Sequence, residues 1–290
     1  MKVELKGNFP MVTRDVSYFV FDIESVADGA LLSRLRYPSD SLSPEMAITK
    51  YREELIEETG KDFIPYTFQL PVSLVVAKIA ADYKLTDLVA LDEEQSRPHE
   101  ITRLFWDGWR KYGKPCLVSF HGRGFDLPLL ELAAFRYGLE IPDWFAESKR
   151  SFEQPRNRYN IASHFDLHEW LTNFGASRFH GGLSLAANLI GKPGKMDVSG
   201  YMVQDMWNAG KKAEIHDYCR SDVLDTYFVF LRSRVVAGEI TIHEEHAIIE
   251  HARKWIETRA KNSPGLHRYL TAWGDWKSPW EAVKEEPLST

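Results

Sequence analysis

The chain has 290 residues, 44% of them hydrophobic, so it can bury a substantial core as one large domain or as a domain with an extension. Its formal net charge of −6 argues against a protein that holds nucleic acid by bulk positive charge, although not against an enzyme that binds it locally. Two separated cysteines, Cys116 and Cys219, indicate neither a zinc site nor a disulfide framework. No signal peptide or membrane-spanning run is present, so we expect a cytoplasmic protein without a membrane partner.

Residues 18–25 read Tyr-Phe-Val-Phe-Asp-Ile-Glu-Ser, and their aromatic and β-branched side chains predict a buried strand. Side chains two apart on a strand project from one face, so Asp22 and Glu24 point the same way. Neighbouring carboxylates repel each other and lose hydration, a cost that a bound cation or cationic partners can offset. Alternatively, both side chains simply reach solvent where the strand ends.

Residues 28–70 predict a long insertion with one helix near 44–58, because prolines and a serine-rich patch interrupt the rest of it. Periodicity and turn signals then predict strands over 72–80, 85–91, 116–120 and 163–167, and helices over 100–112, 125–137, 183–190, 200–208 and 211–236. The first three strands follow one another closely and suggest an antiparallel meander. The order βββ-α-β-α-β-α indicates a mixed α/β fold.

From residue 239 onward the sequence becomes helical in character and rich in tryptophan. We therefore expect a main domain over 1–238 and a helical C-terminal extension over 239–290 that packs on it.

Two later segments carry further acids. Asp126 follows the glycine-rich exit from the strand over 116–120 and lies near the start of a helix, where a carboxylate also suits ordinary N-capping. Tyr218 and Asp222 are four residues apart on the long helix and share a face, as a functional pair or as a surface pair.

The joint order of these motifs resembles the DEDDy 3′–5′ exonucleases of the ribonuclease H-like superfamily. It is most similar to stand-alone predicted exonucleases related to the proofreading domain of family B DNA polymerases. The resemblance is carried by Phe-Asp-Ile-Glu at 21–24, Phe-His-Gly-Arg-Gly-Phe-Asp-Leu-Pro at 120–128 and Tyr-Cys-Arg-Ser-Asp-Val-Leu-Asp-Thr-Tyr at 218–227. It implies a ribonuclease H-like fold, with the antiparallel meander and parallel strands in one mixed sheet flanked by helices.

The resemblance also implies a two-metal site for Mg²⁺ or Mn²⁺, hard ions that prefer carboxylate oxygens. Asp22 would bridge both ions, Glu24 and Asp222 would complete the ion on the nucleophile side, and Asp126 would hold the other largely through water. Tyr218 would orient the attacking water, because a phenol with a pKa near ~10 is better suited to positioning than to acting as a free base.

We expect five residues to contact the substrate: Ser25, His121, Phe125, Lys192 and Lys195. The family usually has Thr where Ser25 stands and Asn where His121 stands. Ser25 keeps the hydroxyl. His121 keeps hydrogen-bonding capacity but changes the shape of the contact and can titrate near neutral pH.

Other motifs are weaker. The loop over 191–195 lacks P-loop spacing, and His-Glu-Glu-His at 243–246 lacks the spacing of a zinc-protease motif and predicts a solvated helix face. Basic residues over 149–158, together with Lys211 and Lys212, either guide a nucleic-acid strand or form solvated surface. The C-terminal tryptophans are expected mainly in the core.

These observations predict a metal-dependent exonuclease that releases nucleoside 5′-monophosphates from the 3′ end of single-stranded DNA. An RNA-directed exonuclease of the same fold and an inactive nucleic-acid-binding module are the alternatives. The sequence does not indicate whether a polymerase or another protein is a partner.

Overall fold

The computed structural model describes residues 16–194 and 202–280. One five-stranded sheet contains β1 Val16–Ala27, β2 Gln69–Ala80, β3 Leu85–Ala90, β4 Cys116–Ser119 and β5 His164–Asp166. The strand order is β3-β2-β1-β4-β5, with β1, β2 and β3 antiparallel and with β4 and β5 parallel to β1. This confirms the predicted mixed sheet and is consistent with a ribonuclease H-like α/β fold.

Eleven helices are found in the described residues: α1 Gly29–Arg36, α2 Pro44–Thr59, α3 Pro98–Lys111, α4 Asp126–Tyr137, α5 Pro142–Phe145, α6 Leu167–Thr172, α7 Gly182–Leu189, α8 Val203–Asn208, α9 Lys212–Val236, α10 Ile242–Ala260 and α11 Pro264–Thr271. Three short helices, α1, α5 and α6, were not predicted. α1 begins where the Asp28 side chain accepts a hydrogen bond from the Leu31 amide at 3.0 Å. α6 begins where the Asp166 side chain accepts hydrogen bonds from the amides of His168 and Glu169. Helices α1 and α6 therefore depend on N-capping more than on hydrophobic periodicity.

The sheet is covered on both faces. Alternation along β1 sends Phe19 and Phe21 into a core with Trp106 of α3, whereas Val20 packs on the opposite face beneath Phe228 of α9. α9 is therefore a buried helix that lies against the central strands, and the side chains of β1 that alternate with Phe19 and Phe21 face it.

The insertion between β1 and β2 has a small core of its own, which includes Leu32 of α1 and Tyr51 of α2. At the other end of the chain, Tyr269 of α11 donates a hydrogen bond to Asp225 of α9 at 2.7 Å. The division into domains over 1–238 and 239–290 stays a prediction. Among the described residues, no helix has both the length and the apolar character needed to cross a membrane.

Candidate active site

The two acids of the first strand lie where β1 runs beyond its parallel neighbour. β1 pairs with β4 only through residues 18–20, whereas its pairing with β2 continues to Ala27. Asp22 and Glu24 alternate in phase with Val20, so they face α9. Asp22 is partly exposed and Glu24 is buried, and a carboxylate oxygen of one lies within 4.8 Å of a carboxylate oxygen of the other. β1 therefore presents a close pair of carboxylates toward α9.

The glycine-rich turn after β4 brings in the next acid. Asp166 at the end of β5 holds this turn, because its carboxylate accepts hydrogen bonds from the amides of His121 at 3.0 Å and Arg123 at 2.9 Å. A Cβ atom at Gly122 would lie 2.6 Å from the Cβ atom of Ser119 and 3.0 Å from the Asp126 carboxylate, so the close approach of the turn requires glycine there. Asp126 is the first residue of α4 and is only 5% exposed.

Ordinary capping does not explain why Asp126 is buried. The N-cap of α4 is Phe125, which forms no side-chain capping bond, and Asp126 already belongs to the helix. A carboxylate in the first turn is favoured by the helix dipole, yet that effect does not require removal of the group from solvent.

α9 supplies the third part of the site. Tyr218 and Asp222 lie one turn apart and line a cavity of about 410 Å³. All the predicted acids and the predicted tyrosine line it: Asp22, Glu24, Asp126, Tyr218 and Asp222. The fold thus brings together side chains from β1, from the start of α4 and from α9.

The acids strongly disfavour one another's charge. Burial raises the pKa of Asp22 well above its usual value, and the charges of Asp126, Glu24 and Asp222 raise it further. Burial also raises the pKa of Asp126 to about 7. Bound cations would favour the ionised carboxylates and offset this repulsion.

Tyr218 cannot act as a free base at neutral pH. Burial is the largest cause of a pKa far above the usual value of a tyrosine, followed by the charges of Asp222 and Glu24. The phenol therefore stays protonated, and it can orient a water molecule through a hydrogen bond.

The chemistry of the donor atoms fits hard divalent cations, which prefer carboxylate oxygens. Cys219 stands beside these donors: its sulfur lies within 4.8 Å of carboxylate oxygens of Asp22 and Glu24. Burial raises the pKa of its thiol well above the usual value, and the thiol donates a hydrogen bond to the Asp22 backbone oxygen at 3.3 Å. Cys219 therefore supports the Asp22 backbone as a neutral thiol instead of offering a thiolate ligand.

Sequence reasoning did not connect Cys219 with the site. A signal was present, because Cys219 directly follows Tyr218. However, periodicity places consecutive helix residues on different sides, and only the packing of α9 against β1 shows that Cys219 meets Asp22.

Three of the predicted substrate contacts line the cavity. They are Ser25, His121 and Phe125. The Ser25 hydroxyl also donates a hydrogen bond to the side-chain oxygen of Gln69, the first residue of β2. His121 adopts the left-handed backbone conformation with φ of 68°, which few side chains other than Asn, Asp and His tolerate.

The two predicted lysine contacts fare differently. Lys192 does not line this cavity: it is 4% exposed, its ammonium lies 4.4 Å from the centre of the Trp273 ring, and it donates to the Gly274 oxygen at 3.3 Å. The prediction for Lys192 is therefore corrected, because packing against the C-terminal segment buries it. Burial also lowers its pKa to about 8. Lys195 lies outside the described residues, as does the beginning of the predicted helix over 200–208.

The basic segment over 149–158 is partly neutralised within the fold. Arg156 pairs with Glu131 at 2.9 Å and Arg158 pairs with Glu169 at 2.7 Å. Lys212 donates to the backbone oxygen of Gln95 at 2.7 Å. These contacts favour a structural role for the three residues.

The prediction that residues 243–246 form a solvated helix face is wrong for one residue. Glu245 is fully buried and pairs with Arg232 at 2.8 Å, whereas His243 and His246 are exposed. Burial of this carboxylate by α9 overrides the polar pattern of the local sequence. Among the C-terminal tryptophans, Trp255 and Trp273 are partly buried and pack on the core beneath α9. Trp280 is 79% exposed, so the expected core position is wrong for that residue.

The cavity has a further wall that sequence reasoning did not assign to the site. Four residues of the insertion line it: Arg52, Asp62, Phe63 and Ile64. The Phe63 ring lies 5.7 Å from the ring of Phe125, so the insertion meets the turn after β4. No local pattern signals this contact, because it depends on how the insertion folds back over β1.

Comparison with protein families gives one match. The model of a family described as predicted 3′–5′ exonucleases related to the exonuclease domain of PolB matches residues 61–273. The matched range includes β4, the turn after it and α9, and begins after β1 and α2. Comparison with curated proteins gives no match.

Proposed function

Because the chain belongs to the family of predicted 3′–5′ exonucleases related to the exonuclease domain of PolB, we propose that it is a metal-dependent exonuclease acting on single-stranded DNA. It hydrolyses the phosphodiester bond at the 3′ end and releases nucleoside 5′-monophosphates. The family supports a nuclease that acts on nucleic acid, and the polarity and single-stranded substrate are part of our proposal.

One observation carries the proposal beyond the family match. Asp22 and Glu24 lie outside the matched range, yet they share one cavity with Asp126, Tyr218 and Asp222 from within it. A structural role alone gives no reason to gather four carboxylates against their mutual repulsion.

We assign Asp22, Glu24, Asp126 and Asp222 as the residues that hold two divalent cations, Mg²⁺ or Mn²⁺. When bound, such cations neutralise phosphate charge, acidify water and stabilise the leaving oxygen. Tyr218 donates a hydrogen bond that orients the attacking water. Ser25, His121 and Phe125 contact the terminal nucleotide from the cavity wall.

The proposal is tested with 5′-labelled single-stranded DNA and RNA, incubated with Mg²⁺ or Mn²⁺ in the presence and absence of chelator. We expect stepwise shortening from the 3′ end that stops in chelator and in Asp22→Ala. Persistent cleavage in chelator or in that variant would contradict the metal mechanism.

The same experiment separates the alternatives. Faster shortening of RNA than of DNA would favour an exoribonuclease of the same fold. Binding without cleavage under every metal condition would favour an inactive binding module and overturn the proposed activity.

A further inference from the structure

Arg52 of α2 lines the cavity that holds the acids, although it belongs to the insertion and precedes the matched range of 61–273. The buried face of α2 contains Ala47, Tyr51 and Leu55, spaced by four residues. Arg52 follows Tyr51 by one position and is therefore rotated by about 100° from it around the helix axis. The helix thus buries one side in the insertion and presents Arg52 beside that side, at the cavity.

Contacts with neighbouring elements hold α2 in place. Its first turn is capped by Ser43, and a Cβ atom at Gly29 of α1 would collide with the backbone of Pro44 at the start of α2. The Tyr51 ring packs edge-on against Phe68, 5.7 Å away, just before β2. Arg52 is therefore carried by a helix that is anchored both to α1 and to the approach to β2.

Within the described residues, the Nε atom of Arg52 is buried and has no hydrogen-bond partner. Buried polar groups normally have a partner, so this donor is available to a ligand in the cavity. A guanidinium presents Nε–H and a terminal N–H as parallel donors, which match two oxygens of a phosphate.

The distribution of charge in the cavity also favours a phosphate as the ligand of Arg52. Its described lining residues include five carboxylates and a single guanidinium: Asp22, Glu24, Asp62, Asp126, Asp222 and Arg52. A nucleic-acid strand brings further negative charge into this acidic wall. Arg52 supplies a permanent positive charge there, because a guanidinium stays protonated.

We propose that Arg52 binds a backbone phosphate of the nucleic-acid strand in the cavity, donating hydrogen bonds from Nε and a terminal amino group. The inference rests on the proposed function, since it takes the strand as the substrate of this cavity. The insertion thereby supplies a substrate contact in addition to those of β1, α4 and α9.

The test measures the binding of fluorescent single-stranded DNA by anisotropy, in full-length protein with Asp22→Ala so that cleavage does not interfere. We expect Arg52→Gln to raise Kd about 10- to 100-fold, as for loss of a charged hydrogen bond. Arg52→Lys should give a smaller increase, because it keeps the charge but loses the paired donors. Arg34→Gln removes the same charge from the exposed surface of the insertion and should leave Kd within about twofold.

A second measurement identifies the contacted phosphate by changing the DNA. Neutral methylphosphonates replace one phosphate at a time in the DNA. We expect one position to weaken binding to the Arg52 protein about 10-fold or more and to have no additional effect on Arg52→Gln. The inference is overturned if no position shows this dependence, or if Arg52→Gln binds DNA as Arg34→Gln does.

The activity assay distinguishes this result from failure of the proposed function. If Arg52→Gln alone shortens DNA with unchanged kcat and KM, the exonuclease stands and the Arg52 contact falls. If the unsubstituted chain cleaves nothing but shows the phosphate-specific dependence on Arg52, the contact stands and the exonuclease falls.

Discussion

Tyr218 is the residue whose proposed role can be isolated most cleanly. Tyr218→Phe removes only the hydroxyl that orients water, so we expect kcat to fall about 100-fold or more while metal affinity stays unchanged. Single-turnover cleavage and calorimetric titration with Mn²⁺ measure these two quantities separately. Tyr227→Phe on the same helix is the matched control, because its hydroxyl bonds to the Tyr83 backbone oxygen, away from the cavity lining. Full activity in Tyr218→Phe would remove the hydroxyl from the mechanism.

His121 has a backbone requirement as well as a proposed substrate contact. Its φ of 68° suits Asn but strains a β-branched residue. We expect His121→Asn to change the free energy of unfolding by less than about 0.5 kcal/mol and His121→Val to lower it by more than about 1 kcal/mol. Urea unfolding of both variants measures the difference. Equal stability would show that the backbone conformation does not limit the choice of residue.

At the scale of elements, α9 connects the cavity to the C-terminal helices. Asp225 lies one turn after Asp222, is fully buried, and accepts a hydrogen bond from Tyr269 of α11. Tyr269→Phe leaves this carboxylate without that donor, so we expect a loss of about 1–3 kcal/mol of stability. Urea unfolding with an unchanged m value measures the loss. An unchanged midpoint would mean that the bond contributes nothing net.

The buried carboxylate of Asp225 on α9 is expected to make stability depend on pH. Burial raises the pKa of Asp225 to about 7, so the folded state holds this proton more tightly than the unfolded chain does. The contribution of Asp225 is therefore fully present below about pH 4 and is lost as the pH rises through about 7. Asp225→Asn should make the decline in metal-free stability between pH 5 and about 8 shallower. An identical decline in the variant would contradict the assignment.

For the molecule as a whole, we expect the crowded acids to lower stability without metal and to be needed for metal binding. Without metal, Asp22→Asn removes a repelling carboxylate, so we expect its Tm to exceed that of the unsubstituted chain. Mg²⁺ or Mn²⁺ should raise the Tm of the unsubstituted chain through selective binding to the folded state, and it should raise that of Asp22→Asn much less. Thermal unfolding with metal and with chelator measures both effects. A Tm insensitive to metal would argue against a divalent site.

Metal stabilisation should also grow with pH. Metal binding requires ionised carboxylates. Burial raises the pKa of Asp22 and raises that of Asp126 to about 7, so protons compete with the metal for Asp126 below about pH 7. The shift in Tm on adding Mg²⁺ is therefore expected to be larger at pH 8 than at pH 6.

Features that follow from local backbone geometry could be predicted from the sequence. Alternation along a strand placed Asp22 and Glu24 on one face, and helical periodicity paired Tyr218 with Asp222. The order of the motifs indicated the ribonuclease H-like sheet and the exonuclease family, both of which are confirmed. The assignment of catalytic and metal-binding roles stays a prediction.

Which of these faces meet, and which other residues join them, depends on how distant elements pack in the folded chain. Lys192 was expected at the substrate and is buried against Trp273, whereas Arg52 had no predicted role and lines the cavity with the acids. Both positions depend on how distant segments pack: the C-terminal segment covers Lys192, and the insertion folds back over β1. Spacing along the chain predicts the direction of a side chain within its own helix or strand. It does not predict which other element packs over that side chain. The acid pair on β1 could therefore be recognised from sequence, while the guanidinium that lines the same cavity could not.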